Sequence, residues 1–425
     1  LSGILVDSGF GSALIRKKKA TETDYSTIFF FNLAISVFFY LILFFAAPLI
    51  ADFFEIPSLT LIARILFISI IFQGFGLIQQ VRLTKHIAFT HLARINIIAI
   101  LAGSTVSIVY AYRGGGVWAL VIQQLLITLL RTILLWVYGH WYPIVVFSPK
   151  SIREFLAYSS HLIGTGVLNA VYNNIYPMFI GKGYSTASVG FYTQAHRFQE
   201  IPSSLVATIF RSVAFPVLST INDEPERMIR IFGKYIRTIS FFIFPVMVLF
   251  IVIAEPLVLV LLSEKWAAAI PFLQRLCIAG AFSPFIILYY DLFNTIGRSD
   301  INLKTEIVKK ILLTVGIFFC FGKGIIALIW LWVAYTLASL AASMWLGQHF
   351  TSYRATRFVR DIIPCLLLSV FAGIIAWGVF LSCTSLLGRL IAPLLVFTAV
   401  YLLGTYTARV EIWKEFFKWK TERNK

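Results

Sequence analysis

Charge is scarce in this chain. Only 13% of its 425 residues are Asp, Glu, Lys or Arg, about half the ~25% of an ordinary globular domain. A soluble fold of this length must cover its surface with charge, and this composition excludes one. Acidic residues are the rarer sign, 19 against 36 Lys and Arg. Cysteine is nearly absent, and Cys277, Cys320, Cys365 and Cys383 all fall in apolar runs. They read as buried free thiols rather than disulfides or metal ligands. The six His are scattered. There is no Walker loop, no HExxH, no metal-spaced Cys/His set and no nucleophile elbow. The expectation is therefore no enzyme, no catalytic residue, no metal and no cofactor. No short apolar region with a small-residue cleavage site opens the chain. Leu1 stands inside an apolar run, which points to an upstream segment.

What the chain has instead is long apolar runs. Hydrophobic residues make up 59% of it. Ser26 to Phe53 contains no charge until Asp52, and Ala327 to Leu346 contains none; a spanning helix needs about 20 mostly apolar residues. Reading the runs between polar breaks predicts 13 transmembrane helices, at 1–15, 26–52, 59–81, 88–111, 116–138, 153–180, 187–213, 231–254, 269–296, 303–321, 324–347, 358–382 and 388–408.

A net charge of +17 would point to nucleic acid in a soluble protein, but its placement excludes that partner. Twenty-five Lys and Arg fall on one set of alternate loops: Arg16 to Lys19, Arg82 with Lys85, Lys150 with Arg153, Arg227 to Arg237, Arg298 to Lys310, Arg354 to Arg360, and the tail from Arg409 to Lys425. The other loops hold five: Arg113, Lys182, Lys265, Lys323 and Arg389. Basic loops stay in the cytoplasm, so the C-terminus is expected there, and Leu1 on the outer side. The basic tail Trp413–Lys425 reads as a solvated cytoplasmic tail before it reads as an anionic-lipid contact.

Two halves of the chain echo each other. Ala47-Pro48-Leu49-Ile50 matches Glu255-Pro256-Leu257-Val258, and Gly114-Gly115-Gly116-Val117-Trp118-Ala119-Leu120 matches Gly322-Lys323-Gly324-Ile325-Ile326-Ala327-Leu328, both at an offset of 208. Arg64-Ile65-Leu66 resembles Arg275-Leu276-Cys277 at 211. Paired segments face the same side, which predicts a parallel repeat. The expected fold is an all-α membrane protein of two six-helix lobes plus two C-terminal helices, with the first helix missing. Its segments are an N-terminal lobe at 1–140, a C-terminal lobe at 141–350 and the two extra helices with the tail at 351–425, the lobes joined by a cytoplasmic linker at His140–Lys150.

Several stretches carry a family resemblance: Asp7-Ser8-Gly9-Phe10-Gly11-Ser12-Ala13-Leu14-Ile15, Ala47-Pro48-Leu49-Ile50-Ala51-Asp52-Phe53-Phe54, Gly190-Phe191-Tyr192 through Ile201-Pro202, Phe215-Pro216-Val217-Leu218-Ser219, and Glu264-Lys265-Trp266-Ala267-Ala268-Ala269-Ile270-Pro271. Together they resemble the Wzx-type polysaccharide flippases, especially the branch named for colanic-acid export. That family belongs to the superfamily of MATE multidrug exporters and the lipid II flippase. The resemblance spans essentially the whole chain. It implies 14 helices, one more than the runs supply. It also implies movement of an undecaprenyl-pyrophosphate-linked oligosaccharide across the bacterial inner membrane, with a polysaccharide polymerase and chain-length regulator as partners. A diphosphate cannot cross hydrocarbon unaided, so its route must offer cations in a shielded cavity.

Six Arg lie inside the predicted spans: Arg64, Arg94, Arg131, Arg197, Arg211 and Arg275. Arg94, Arg131 and Arg211 lie close enough to a cytoplasmic end to snorkel. Arg64 and Arg275 hold equivalent repeat positions, which reads as a shared structural contact. Arg197 sits about 15 Å into its span, on the second helix of the second lobe, and the superfamily lines its cavity with the first two helices of each lobe. Either it faces the cavity or it pairs with Glu200 three residues on. The preceding span carries Asn169, Tyr172, Asn173, Asn174 and Tyr176, which at that depth either bind sugar hydroxyls or join helices. The candidate substrate-binding residues are thus Arg197, Asn169, Asn173, Asn174, Tyr176 and, on the first span, Asp7. Three functions compete. A lipid-linked oligosaccharide flippase working by alternating access fits intramembrane Arg. A MATE-like cation or drug antiporter on the same scaffold would favour acidic cavity residues, here Asp7, Glu200, Asp291 and Asp361. A membrane-embedded glycosyltransferase or polymerase is disfavoured by the short outer loops.

Overall fold

The computed structural model describes residues 14, 21–86, 88–149, 151–153, 175–220, 224–296, 298–408 and 410. Among these there is no β-strand. The helices are α1 (Glu22–Phe54), α2 (Leu59–Lys85), α3 (Phe89–Tyr112), α4 (Trp118–Gly139), α5 (Thr186–Thr220), α6 (Pro225–Val252), α7 (Ala254–Leu262), α8 (Ile270–Thr295), α9 (Ser299–Cys320), α10 (Ile325–Phe350), α11 (Ala355–Ser382) and α12 (Leu386–Thr407). A 3₁₀ turn, Glu264–Ala269, leads into α8. Among the described residues, nine helices are long and apolar enough to cross a membrane: α1–α4, α6, α8, α10, α11 and α12. This is a multi-pass, all-α membrane protein. Eleven of the thirteen predicted spans coincide with these helices, α5 and α9 included. The other two, 1–15 and 153–180, lie mainly outside the described residues.

Local chemistry sets the helix ends. α1 opens on a reciprocal capping box in which Thr21 Oγ1 accepts from Asp24 N at 3.2 Å and Asp24 accepts from Thr21 N at 3.0 Å, satisfying two amide donors that a helix start leaves unpaired. Two turns, between α3 and α4 and between α9 and α10, use glycine at positive φ. Gly114 and Gly116 sit at +86° and +50°, Gly322 and Gly324 at +91° and +95°, a region open to Gly at little cost. The predicted span 231–254 ends where α6 does. The chain then turns at Ile253 and continues as the separate short helix α7, with Pro256 in its first turn.

By packing, the chain forms two compact units, Leu1–Met178 and Phe179–Lys425. In the first, α2 packs on α1, α3 and α4, and α3 packs on α4. In the second, α8 packs on α6, α9 and α10, and α9 packs on α10. α8 also lies against α5, while α11 joins α6 to α12. Two of the charges counted above with the loops lie well inside helices and are paired there. Arg237 sits inside α6 and pairs with Asp361 of α11 at 2.9 Å, and Lys309 lies in the third turn of α9 with only 8% of its surface exposed. Both are held by partners on neighbouring turns or helices, which a charge count along the chain does not reveal.

The expected linker, His140–Lys150, and the Ser151 that follows it are bonded to α1 through their described residues. The foot of α1 buries Asp24, Ser26 and Thr27, and buried polar groups need partners. Ile144 N donates to Ser26 Oγ at 3.0 Å, Ser148 N to Thr27 Oγ1 at 3.1 Å, and Ser151 Oγ to Asp24 at 2.8 Å. Trp141 anchors this strap. Its indole donates to Glu22, its carbonyl accepts from Gln79, and its ring packs edge-on to Tyr25 and Phe29. Gly139 lets Gln79 through, since a Cβ there would stand 2.1 Å from Gln79 Oε1. Trp141→Ala is expected to lower stability by about 3–5 kcal/mol, measured as a fall in the thermal unfolding midpoint of the detergent-solubilised protein. An unchanged midpoint would mean that the strap does not hold α1.

Candidate functional site

Polar groups at membrane depth are the places to look for function, because each is costly unless it is paired or faces water. The described chain holds four such groupings, each within one unit.

The first centres on α5. Tyr192, Ala195, Gln199, Ser203 and Ala207 form its buried stripe, and contact with α8 is close. Gln199 Nε2 donates to Ser203 Oγ at 2.9 Å, and Ser203 Oγ donates to the Gly280 carbonyl at 3.1 Å. Glycine is required at 280, where a Cβ would fall 2.4 Å from Gln199 Nε2. This packing turns Arg197, Glu200, Ile201, Ser204 and Leu205 to the opposite, exposed face. Arg197 and Glu200, which their spacing allows to pair, make no direct ion-pair contact, although the Arg197 charge still acts on Glu200. Glu200 lies against His196 instead, at 3.3 Å, and Arg197 has no ion-pair partner among the described residues. The imidazole is one turn before Glu200 on the same face, a more direct reach than the guanidinium three residues away.

The second grouping lies between α8 and α9. Glu306 accepts from Tyr290 and pairs with Lys309 at 3.2 Å and Lys310 at 3.7 Å, while Lys309 also donates to Tyr290. The third joins α6 to α11 through Arg237 and Asp361, with Tyr353 Oη donating to Asp361 at 2.7 Å. Tyr353 lies in the turn between α10 and α11, and burial, reinforced by that carboxylate, pushes its phenol well above its ordinary pKa. It stays a donor across the physiological range.

The fourth is in the first unit. Gln73, Gln80, Gln124, Thr128, Arg131 and Thr132 line a cavity of about 140 Å³ between α2 and α4, and Arg131 donates to Gln80 Oε1 at 3.1 Å. Residue-by-residue reading passed over the glutamines, although the doublets Gln79-Gln80 and Gln123-Gln124 inside apolar runs are a visible signal.

The remaining predicted residues divide as follows. Asn169, Asn173, Asn174 and Asp7 lie outside the described residues. Tyr176 is buried, with 2% of its surface exposed. Arg64 donates to the Phe44 carbonyl at 3.3 Å and stands over the Phe44 ring, whereas Arg275 donates to Pro271 of its own helix at 2.7 Å and stands near Trp330. Both serve backbone carbonyls, but the contact is not a shared one, because their partners come from different elements.

Comparison with known proteins places this geometry. A family model described as polysaccharide biosynthesis protein matches residues 1–271. The teichuronic acid biosynthesis protein TuaB of Bacillus subtilis is 25% identical over 382 residues, 89% of this chain and 79% of TuaB. The lipopolysaccharide biosynthesis protein WzxC of Escherichia coli is 23% identical over 314 residues, 73% of this chain and 64% of WzxC. The succinoglycan biosynthesis transport protein ExoT of Rhizobium meliloti is 23% identical over 326 residues, 76% of this chain and 66% of ExoT. The chain thus spans just under two thirds of the length of the last two. Among solved structures, the lipid II flippase MurJ in an inward closed conformation superposes with a TM-score of 0.78 at 16% identity, over 97% of this chain and 90% of MurJ. An inward-facing MATE multidrug transporter of the MOP superfamily gives 0.63 at 18% identity, over 83% of this chain and 86% of the transporter. These two likenesses concern the fold.

The Glu306 cluster yields a direct test. Glu306→Ala leaves Lys309 buried without its carboxylate and is expected to cost about 2 kcal/mol after allowance for partial exposure. The double variant Glu306→Ala/Lys309→Met is expected to recover most of that loss. Equal unfolding midpoints for the single and double variants would show that the ion pair does not hold α9.

Proposed function

The chain belongs to the polysaccharide biosynthesis protein family, a family of membrane transporters and flippases, and from that premise we propose that it moves an undecaprenyl-pyrophosphate-linked oligosaccharide from the cytoplasmic to the periplasmic leaflet of the bacterial inner membrane. Movement is by alternating access of two lobes, 1–140 and 141–350, with the helices of 351–425 appended. The recurrence of helix order and neighbours, α1 to α4 against α6 to α10, supports a repeat, and so do the matching positive-φ glycines at 114/322 and 116/324.

The observation that carries the reading is the asymmetry of charge pairing within the second unit. Its carboxylates at depth are engaged: Asp361 by Arg237, Glu306 by two lysines, Glu200 by His196, and Asp291 is buried. Arg197 is exposed and has no ion pair among the described residues. A cation antiporter needs free carboxylates, so this pattern favours an anionic cargo over the MATE-like alternative. In this mechanism Arg197 holds a diphosphate oxygen pair through its planar, permanently charged fork. The prenyl chain stays in lipid, and Asn169, Asn173, Asn174, Tyr176 and Asp7 are the further candidate contacts for the sugar hydroxyls. A polymerase and chain-length regulator would receive the product.

The test is complementation of a bacterium lacking its own flippase, with the full-length protein beside an Arg197→Ala variant at equal membrane abundance. The expected result is restored surface polysaccharide for the first and a ten- to hundredfold loss for the second, the range set by about 1.5–3 kcal/mol for a charge-assisted contact. Restoration by both would keep the transport reading and remove Arg197 from it. Failure of both across several donor repeat units would move the assignment to the antiporter.

A further inference from the structure

A second cationic site lies away from Arg197, at the end of the second unit where α10 turns into α11. A cavity of about 820 Å³ opens there, lined by Arg237, Ser352, Arg354, Thr356, Arg357, Arg360 and Asp361. Its frame is rigid. Tyr353 is fully buried against Phe232, with ring centroids 5.1 Å apart, and the Arg237–Asp361 pair ties α6 to α11 across its wall. A glycine at 233 makes room for this frame, since a Cβ there would approach Asp361 to 3.1 Å and Tyr353 to 3.4 Å.

Arg237 and Asp361 largely cancel. Arg354, Arg357 and Arg360 do not: all three are exposed, and none has an ion-pair partner among the described residues. They fall at intervals of three, Arg354 at the N-cap of α11 and Arg357 and Arg360 on its first two turns, and the first turn holds no acid. That placement opposes the helix dipole, which favours anions at a helix start. Retention of this loop on the basic side of the membrane requires only the number of charges, not their convergence on one cavity. Convergence of unpaired guanidiniums is what a phosphate requires.

Directly along α11 from Arg360, on the same face, run Ile363, Leu367, Phe371 and Ile374, all exposed. Their spacing of three and four residues makes one continuous apolar track. A soluble anion needs no such track, whereas an amphiphile uses both parts. We propose that this cavity holds the phosphate headgroup of an anionic membrane phospholipid, with an acyl chain lying along the Ile363–Ile374 face. The site is independent of the transport reading and of Arg197.

The experiment uses the full-length chain in nanodiscs of phosphatidylcholine alone or mixed with phosphatidylglycerol, with bound lipid counted by native mass spectrometry. The wild type is expected to retain phosphatidylglycerol selectively. The variant Arg354→Gln/Arg357→Gln/Arg360→Gln is expected to lose affinity for it on the order of a hundredfold, at about a tenfold-or-less step for each cation. An unchanged unfolding midpoint of the variant in phosphatidylcholine alone would tie the loss to binding. Should the triple variant be unstable there, Arg360→Gln alone is read instead, with a severalfold loss expected. Equal phosphatidylglycerol retention by wild type and variant would overturn the proposal. So would competition by inorganic phosphate as effective as by lipid, which would make this a soluble-anion site. Displacement of phosphatidylglycerol by a prenyl diphosphate at far lower concentration would also overturn it, reassigning the cavity to a substrate lipid.

Discussion

Hydrocarbon offers no hydrogen-bond partner, and most of this structure follows from that constraint. Backbone amides at membrane depth are satisfied within helices, the solution open to a chain without a closed barrel. Side-chain hydroxyls follow the same rule. Ser36, Thr128, Ser240, Thr336, Ser343 and Ser369 each donate to the carbonyl four residues earlier. Charges obey it by pairing, as Arg237 with Asp361 and Lys309 with Glu306. Where the chain leaves a helix with polar groups still buried, as at the foot of α1, another segment returns to satisfy them. The strap around Trp141 is that segment, and the aromatic cluster of Tyr25, Phe29 and Trp141 closes over it.

Against that background an unpaired charge is informative. Arg197 is held on the exposed face of α5 because the opposite face is committed to α8 through Gln199, Ser203 and the close approach at Gly280. Packing thus sets the face on which Arg197 lies, and on that face Glu200 bonds to His196 rather than directly to the guanidinium. The three arginines at the start of α11 are a second exception, at the end of the helix rather than within the apolar span. In the two proposals made above, these cations would share one physical task, handling lipid phosphate: Arg197 for cargo in transit and the α11 arginines for a resident lipid.

The helices were legible in the sequence as apolar runs between polar breaks, and even α5 and α9, which fall outside the nine described helices apolar enough to cross a membrane, were read that way. The glycine turns at 114–116 and 322–324 were visible as a repeat before their positive φ angles were known. Long-range pairing was not legible. Glu22 and Trp141 are 119 positions apart and Arg237 and Asp361 are 124, and nothing local to either residue names its partner. Lys309 was read as a loop charge because a basic cluster usually marks a helix end, whereas Glu306 and Tyr290 carry it into the fold. The partner of Glu200 turned on the same kind of detail, an imidazole one turn away against a guanidinium three residues away.

The central claim is that Arg197 faces an aqueous path used by a diphosphate. All four native cysteines are free, so they can be replaced and a single Cys introduced as Arg197→Cys. Labelling this variant in intact membranes with a water-soluble maleimide tests the claim directly. The account predicts ready labelling that slows when a prenyl-diphosphate-linked sugar is added. A thiol that reacts only with lipid-soluble reagents, or at a rate indifferent to that ligand, would contradict it.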